Sequence, residues 1–132
     1  MLRRRRIPEH LREAYEAFDT LVPPLERAKV ALTESVPGTR LPGRPLAETL
    51  LEFEDGLREV AAGMDGWRVP QVEEVWLLAS SGLNDARRLA QRIRVEAPDP
   101  GGFEGLIGLI GDLLAPLDAF AHAEDRFRGL RR

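Results

Sequence analysis

The 132-residue chain contains no cysteine. Disulfides, thiolate metal sites and thiol nucleophiles are thereby excluded, and a reducing, cytoplasmic setting is the expectation. Lysine occurs once against eighteen arginines, asparagine once and glutamine twice. Scarce amides are compatible with a heat-adapted source, but richness in Arg, Ala, Gly and Pro is also what GC-rich coding produces. The arginines at the start are followed at once by Glu9, His10, Arg12 and Glu13, so the apolar core of a secretory leader is missing. The longest uncharged run, Val75 to Asn84, is ten residues, about half of what a bilayer core requires, and no membrane span is expected.

What is present points to one folded domain over residues 1–132. Hydrophobic residues make up 43% and charged residues 31%, proportions that place the chain among globular proteins and away from disordered ones. Three Pro/Gly clusters, VPGTRLPGRP (36–45), DGWRVP (65–70) and APDPGG (97–102), divide it into four segments, none with the alternation of a strand.

Each segment carries an apolar stripe at helical spacing. In the first, Leu11, Ala14, Phe18, Leu21, Leu25, Ala28 and Leu32 alternate threes and fours, and the second repeats this from Leu46 through Phe53, Leu57 and Met64 to Trp67. The third runs from Val72 through Ala79, Gly82 and Ala86 to Ile93, flanked by Trp76, Leu83 and Ala90. The fourth has Phe103, Leu106, Ile110, Leu113, Leu117 and Phe120, then Glu124 and Phe127. Four such seams predict helices over about 8–35, 46–65, 70–96 and 103–129, and an all-α, antiparallel up-down-up-down four-helix bundle in which they share one core. The Pro23-Pro24 pair and Pro116 fall inside seams whose phase continues across them, so kinks are expected there, with a true break at 23–24 as the alternative. The second stripe is the shortest, which would leave the far ends of the other helices less well covered.

Charge is unevenly placed. The formal net charge is −3, yet Arg3, Arg4, Arg5 and Arg6 stand at the start and Arg126, Arg128, Arg131 and Arg132 at the end. An antiparallel bundle brings both to one pole, together with Arg68 from the loop between the second and third helices. Glu48, Glu52, Asp55 and Glu59 form an acidic stripe opposite the second seam. The arginine pole is a candidate binding site for nucleic acid or another anionic partner.

Catalytic constellations are sparse. His10 and His122 have no Glu three residues before them, so the Glu-x-x-His pattern of bundle metal sites is missing, and neither a metal nor a cofactor is expected. Glu124, on the seam near a bundle end, is expected to pair with an arginine. Arg5 and His10 have a spacing that resembles the Arg-x4-His motif of the HEPN helical ribonucleases, which in that family lies on a late helix. The stretch LIGDLLAPLDAFAHAEDRF resembles the metal helix of the MazG-like nucleotide pyrophosphohydrolases over one helix, with Asp112 matching a Mg²⁺-binding acid. That resemblance implies an all-α, Mg-dependent enzyme. Leu109 stands where the pattern needs a second carboxylate, and EVWLL after Glu73 lacks a third, so the ion-holding cluster is incomplete.

Two features lie outside the seams. Gly108, Gly111, Ala115 and Ala119 give the fourth helix a small, weakly polar outer face, although each glycine inside a helix costs about 1 kcal/mol relative to alanine. Leu77 and Leu78 make the third helix apolar away from its core side. A small face permits close approach of another helix, and extra apolar coverage suggests an association surface. The reading is a non-catalytic interaction module that forms a homodimer, or binds another helical protein, through its third and fourth helices.

Overall fold

The computed structural model describes residues 8–130, and among these there is no strand: the protein is all-α. The four stripes become four helical segments, two of them interrupted once. The first consists of α1 (Glu9–Asp19) and α2 (Val22–Thr33), and the second of α3 (Leu46–Ala62) followed by a 3-10 turn, Met64–Trp67. The third is α4 (Glu73–Glu96), entered through a 3-10 turn at Pro70–Val72. The fourth comprises α5 (Gly102–Leu114), a 3-10 turn at Ala115–Asp118, and α6 (Ala119–Gly129).

The interruptions arise from proline chemistry. Pro23 and Pro24 sit in the first turn of α2, where the missing N–H groups have no intrahelical acceptor to lose. Thr20 and Leu21 between the helices keep right-handed dihedrals, and Leu25 donates to the Leu21 carbonyl at 3.1 Å. The phase survives, and Phe18, Leu21 and Leu25 are all buried. Pro116 acts differently, because the chain tightens into the 3-10 turn around it. The apolar phase nevertheless carries across it, since Leu113, Leu117, Phe120 and Phe127 are all buried.

Two expected placements on α6 are corrected, while Glu124 finds the arginine partner expected of it. Ala123, rather than Glu124, is fully buried on α6, and Glu124 is left half-exposed, donated to by Arg128 at 2.8 Å. Ala119, expected on the outer face, turns half-buried against the core. Phe103 is a third correction: it is 59% exposed although it continues the seam. The buried seams of α4 and α5 stop at Ile93 and Ile110, so the first turn of α5 lies beyond the core.

Trp67 anchors that core. Its ring lies 5.0 Å from Phe18, 6.1 Å from Phe127 and 6.4 Å from both Phe120 and Trp76, centroid to centroid. Tyr15 meets the Phe127 edge at 5.6 Å. The Trp76 indole donates to the Met64 carbonyl at 2.8 Å, whereas the buried Trp67 indole N–H has no acceptor among the described residues.

Helices touch most closely where glycine replaces a side chain. Gly56 of α3 lies against Ala28 and the Pro24 carbonyl, and Gly82 of α4 lies on the Pro116 carbonyl. The Arg126 side chain of α6 donates to the Gln71 carbonyl at 3.3 Å. At the opposite end Ile93 and Leu106 border one groove.

The connections are similarly specific. Ala97 ends α4 in the left-handed conformation, with φ 44°, and donates to Ile93 at 2.8 Å. Beyond it the Asp99 carboxylate accepts from the Gly101 N–H at 2.9 Å. Arg44, in the loop before α3, donates from its backbone to Glu34 at 2.8 Å and pairs its guanidinium with both oxygens of Glu52.

By length and composition Gly102–Gly129 is, among the described residues, the one helix long and apolar enough to cross a membrane, its 18-residue window having a mean hydropathy of 1.4. Asp112 and Asp118 interrupt it, so it contains no long uncharged run. Ile110, Leu113, Leu117 and Phe120 are buried in the core.

Candidate functional site

Of the arginines expected at one pole, Arg68, Arg126 and Arg128 are engaged from within the protein. Arg68 donates from Nε and Nη2 to the Glu73 carboxylate, at 2.7 Å for the shortest contact, and its guanidinium carbon sits 4.0 Å above the Trp76 ring. Both contacts use the planar fork and the face of the group. Arg128 pairs with Glu124, and Arg126 is tied to Gln71. Arg3, Arg4, Arg5, Arg6, Arg131 and Arg132 lie outside the described residues.

The hydrogen bond from Arg68 holds the Glu73 carboxyl below its ordinary value of about 4.5, and Arg44 does the same to Glu52. A carboxylate whose folded pKa is depressed contributes stability that is present above the ordinary pKa and lost as pH falls through the folded one. Denaturant midpoints should therefore drop as pH is lowered from 4.5. The Glu52→Gln/Glu73→Gln variant should show a flatter acid limb, measured by urea melts from neutral pH downward. These are exposed pairs, so the slope will weaken further in high salt.

The candidate association residues fall on two helical segments. Leu77 and Leu78 are 51% and 56% exposed on α4. Gly108, Gly111 and Ala115 are exposed on the fourth segment, and a Cβ built at either glycine meets nothing within 4 Å. Ala119 turns inward and leaves this face.

An apolar groove opens at the end of the molecule away from Trp67. Leu46, Leu50, Ile93, Pro98, Pro100 and Leu106 line a volume of about 330 Å³. Val95, Phe103 and Ile107 are exposed on the same helix ends. The short second stripe had implied this incomplete cover.

A different groove, between α3 and α4, was missed. Arg58, Arg87, Arg88 and Arg94 line it, with Asn84, Gln91 and Glu54 between them, around about 290 Å³. Glu54 accepts two hydrogen bonds from Arg94, at 2.6 and 3.1 Å, and its side chain is only 11% exposed. Arg87, Arg88 and Arg94 lie in the second half of α4, where basic residues suit the helix dipole. The overlooked signal was spacing: Asn84, Arg87, Gln91 and Arg94 recur on one face of α4, as Glu54 and Arg58 do on α3.

His10, His122 and Asp112 are exposed, and among the described residues no three His, Asp or Glu side chains gather closely enough to hold a metal ion. Glu73 is engaged by Arg68. No family model matches the chain, and no curated protein or solved structure is significantly similar to it.

Proposed function

We propose that this chain is a non-catalytic helical-bundle interaction module that self-associates as a homodimer. The arrangement that best accommodates its contacts is the antiparallel up-down-up-down bundle. Residues 67–71 meet α6 at one end, Gly82 meets Pro116 midway, and Ile93 and Leu106 border one groove at the other, which is the order expected of antiparallel neighbours.

The observation that carries the functional reading is apolar and small surface outside the core on α4 and on the segment of α5. Leu77 and Leu78 are both more than half exposed, and above Gly108 and Gly111 there is open space. With Gly82 level with Pro116, a rise of 1.5 Å per residue puts Leu78 roughly 14 Å along the axis from Gly111. A helix of a second copy can lie along both. Burying what remains exposed of the two leucines contributes roughly 2 kcal/mol, a factor of about 30 in Kd.

Sedimentation equilibrium at micromolar concentration is expected to return twice the 14.8 kDa chain mass. The Leu77→Glu/Leu78→Glu variant should sediment as a monomer with unchanged helical circular dichroism. A wild-type chain that remains monomeric, or a variant that dimerises as tightly as wild type, overturns the reading.

A further inference from the structure

We infer that the groove between α3 and α4 is a binding site for a short chain of phosphoryl groups, a diphosphate or triphosphate moiety. Four guanidinium groups line it, and only two carboxylates answer them. Arg94 is held by Glu54 and Arg58 by Asp55 at 3.1 Å. Arg87 and Arg88 make no ion pair among the described residues, although Arg87 is half-buried. Two uncompensated cations of one sign in one groove repel each other, and an anion placed between them removes that repulsion and gains charge-assisted hydrogen bonds.

The neutral residues of the groove sharpen the assignment. The chain has one asparagine and two glutamines, and Asn84 and Gln91 both stand here among the arginines. Their amides add neutral N–H donors that phosphoryl oxygens accept from. Guanidinium groups match phosphate oxygens in pairs, and Arg94 is pre-oriented by its two bonds to Glu54.

Size and surroundings favour a short anion over a polymer. A volume of about 290 Å³ is at the lower end of small-molecule sites, roughly 300 Å³ and above. Glu48, Glu52, Asp55 and Glu59 run exposed along α3, the last three paired with Arg44, Arg58 and Arg27, and the chain as a whole carries a net charge of −3. A polynucleotide leaving the groove across α3 would meet that acidic stripe. A di- or triphosphate ends before reaching it.

The test is isothermal titration of the full chain at low ionic strength with inorganic pyrophosphate, inorganic triphosphate, a nucleoside triphosphate and a single-stranded oligonucleotide. Saturable binding of triphosphate is expected, weakening with added salt, with the nucleotide binding equally or more tightly. Arg87→Gln and Arg88→Gln should each weaken it roughly tenfold, because each removes a charge-assisted contact. Both leave the Glu54–Arg94 pair intact, so their thermal melts should match wild type without ligand. The Arg126→Gln/Arg128→Gln variant, altered only at the other basic cluster, should bind triphosphate as wild type does. No binding of pyrophosphate or triphosphate, equal binding by the Arg87→Gln and Arg88→Gln variants and wild type, nucleotide binding without triphosphate binding, or tighter binding of the oligonucleotide would each overturn the assignment.

Discussion

Gly82→Ala is expected to lower stability by about 2 kcal/mol, where helix propensity alone calls for a gain of about 1 kcal/mol. The reversal comes from position. A Cβ on residue 82 runs into the carbonyl of Pro116, and both sides of that contact are backbone. No rotamer can relieve it, so α4 must move away from the 3-10 turn. The displaced α4 also carries Ala79, Leu83 and Ala86, all buried, and separating them from their neighbours opens core contacts along the helix. For a chain of this size the shift corresponds to a fall in Tm on the order of 5–10 °C by calorimetry. Gly108→Ala provides the opposite sign. Nothing lies within 4 Å of its added methyl, so the helix should gain up to about 1 kcal/mol. Measuring both in the Leu77→Glu/Leu78→Glu background keeps association out of the comparison. Equal changes for the two glycines would contradict the packing of α4 on Pro116.

Phe127→Ala should cost more, about 3–5 kcal/mol in urea melts, which is the usual range for deleting a fully buried aromatic ring. Phe127 is completely shielded from solvent and packs with Tyr15, Phe18 and Trp67, residues drawn from α1 and from the turn after α3. Its removal should loosen α6 from α1 and admit water toward Trp67, shifting tryptophan fluorescence to the red. Phe127→Leu, which keeps most of the volume, should cost roughly 1–2 kcal/mol. A Phe127→Ala protein with wild-type midpoint and fluorescence would mean that α6 does not close over this cluster.

The apolar periodicity was a reliable guide wherever helical geometry stayed regular. Every predicted core position from Leu11 to Leu32, and from Leu50 to Trp67, is buried. It failed at two places. Beyond Pro116 the phase held, with Leu117, Phe120 and Phe127 buried, but Ala123 takes the place expected of Glu124 and Ala119 is half-buried. At Phe103 the seam continued past the end of the core, because periodicity records the direction of a side chain and says nothing of whether another helix reaches it.

The grooves were harder to read for a related reason. Arg58 and Arg94 are on different helices, and their meeting depends on the register at which α3 and α4 pack. Glu54 illustrates the same limit. It lies outside the apolar seam next to Phe53, yet the two-pronged contact with Arg94 draws it under cover.

Composition and periodicity by themselves determined that the chain is helical and, for most of its length, which stripe of each helix turns inward, since these depend on residues within a turn or two of one another. Tertiary structure decided which arginines share a groove, which are quenched by a neighbouring carboxylate, and which leucines stay in water. Those outcomes depend on how far one helix slides along another, and that distance is set by backbone contacts such as Gly82 on Pro116, which no local pattern encodes.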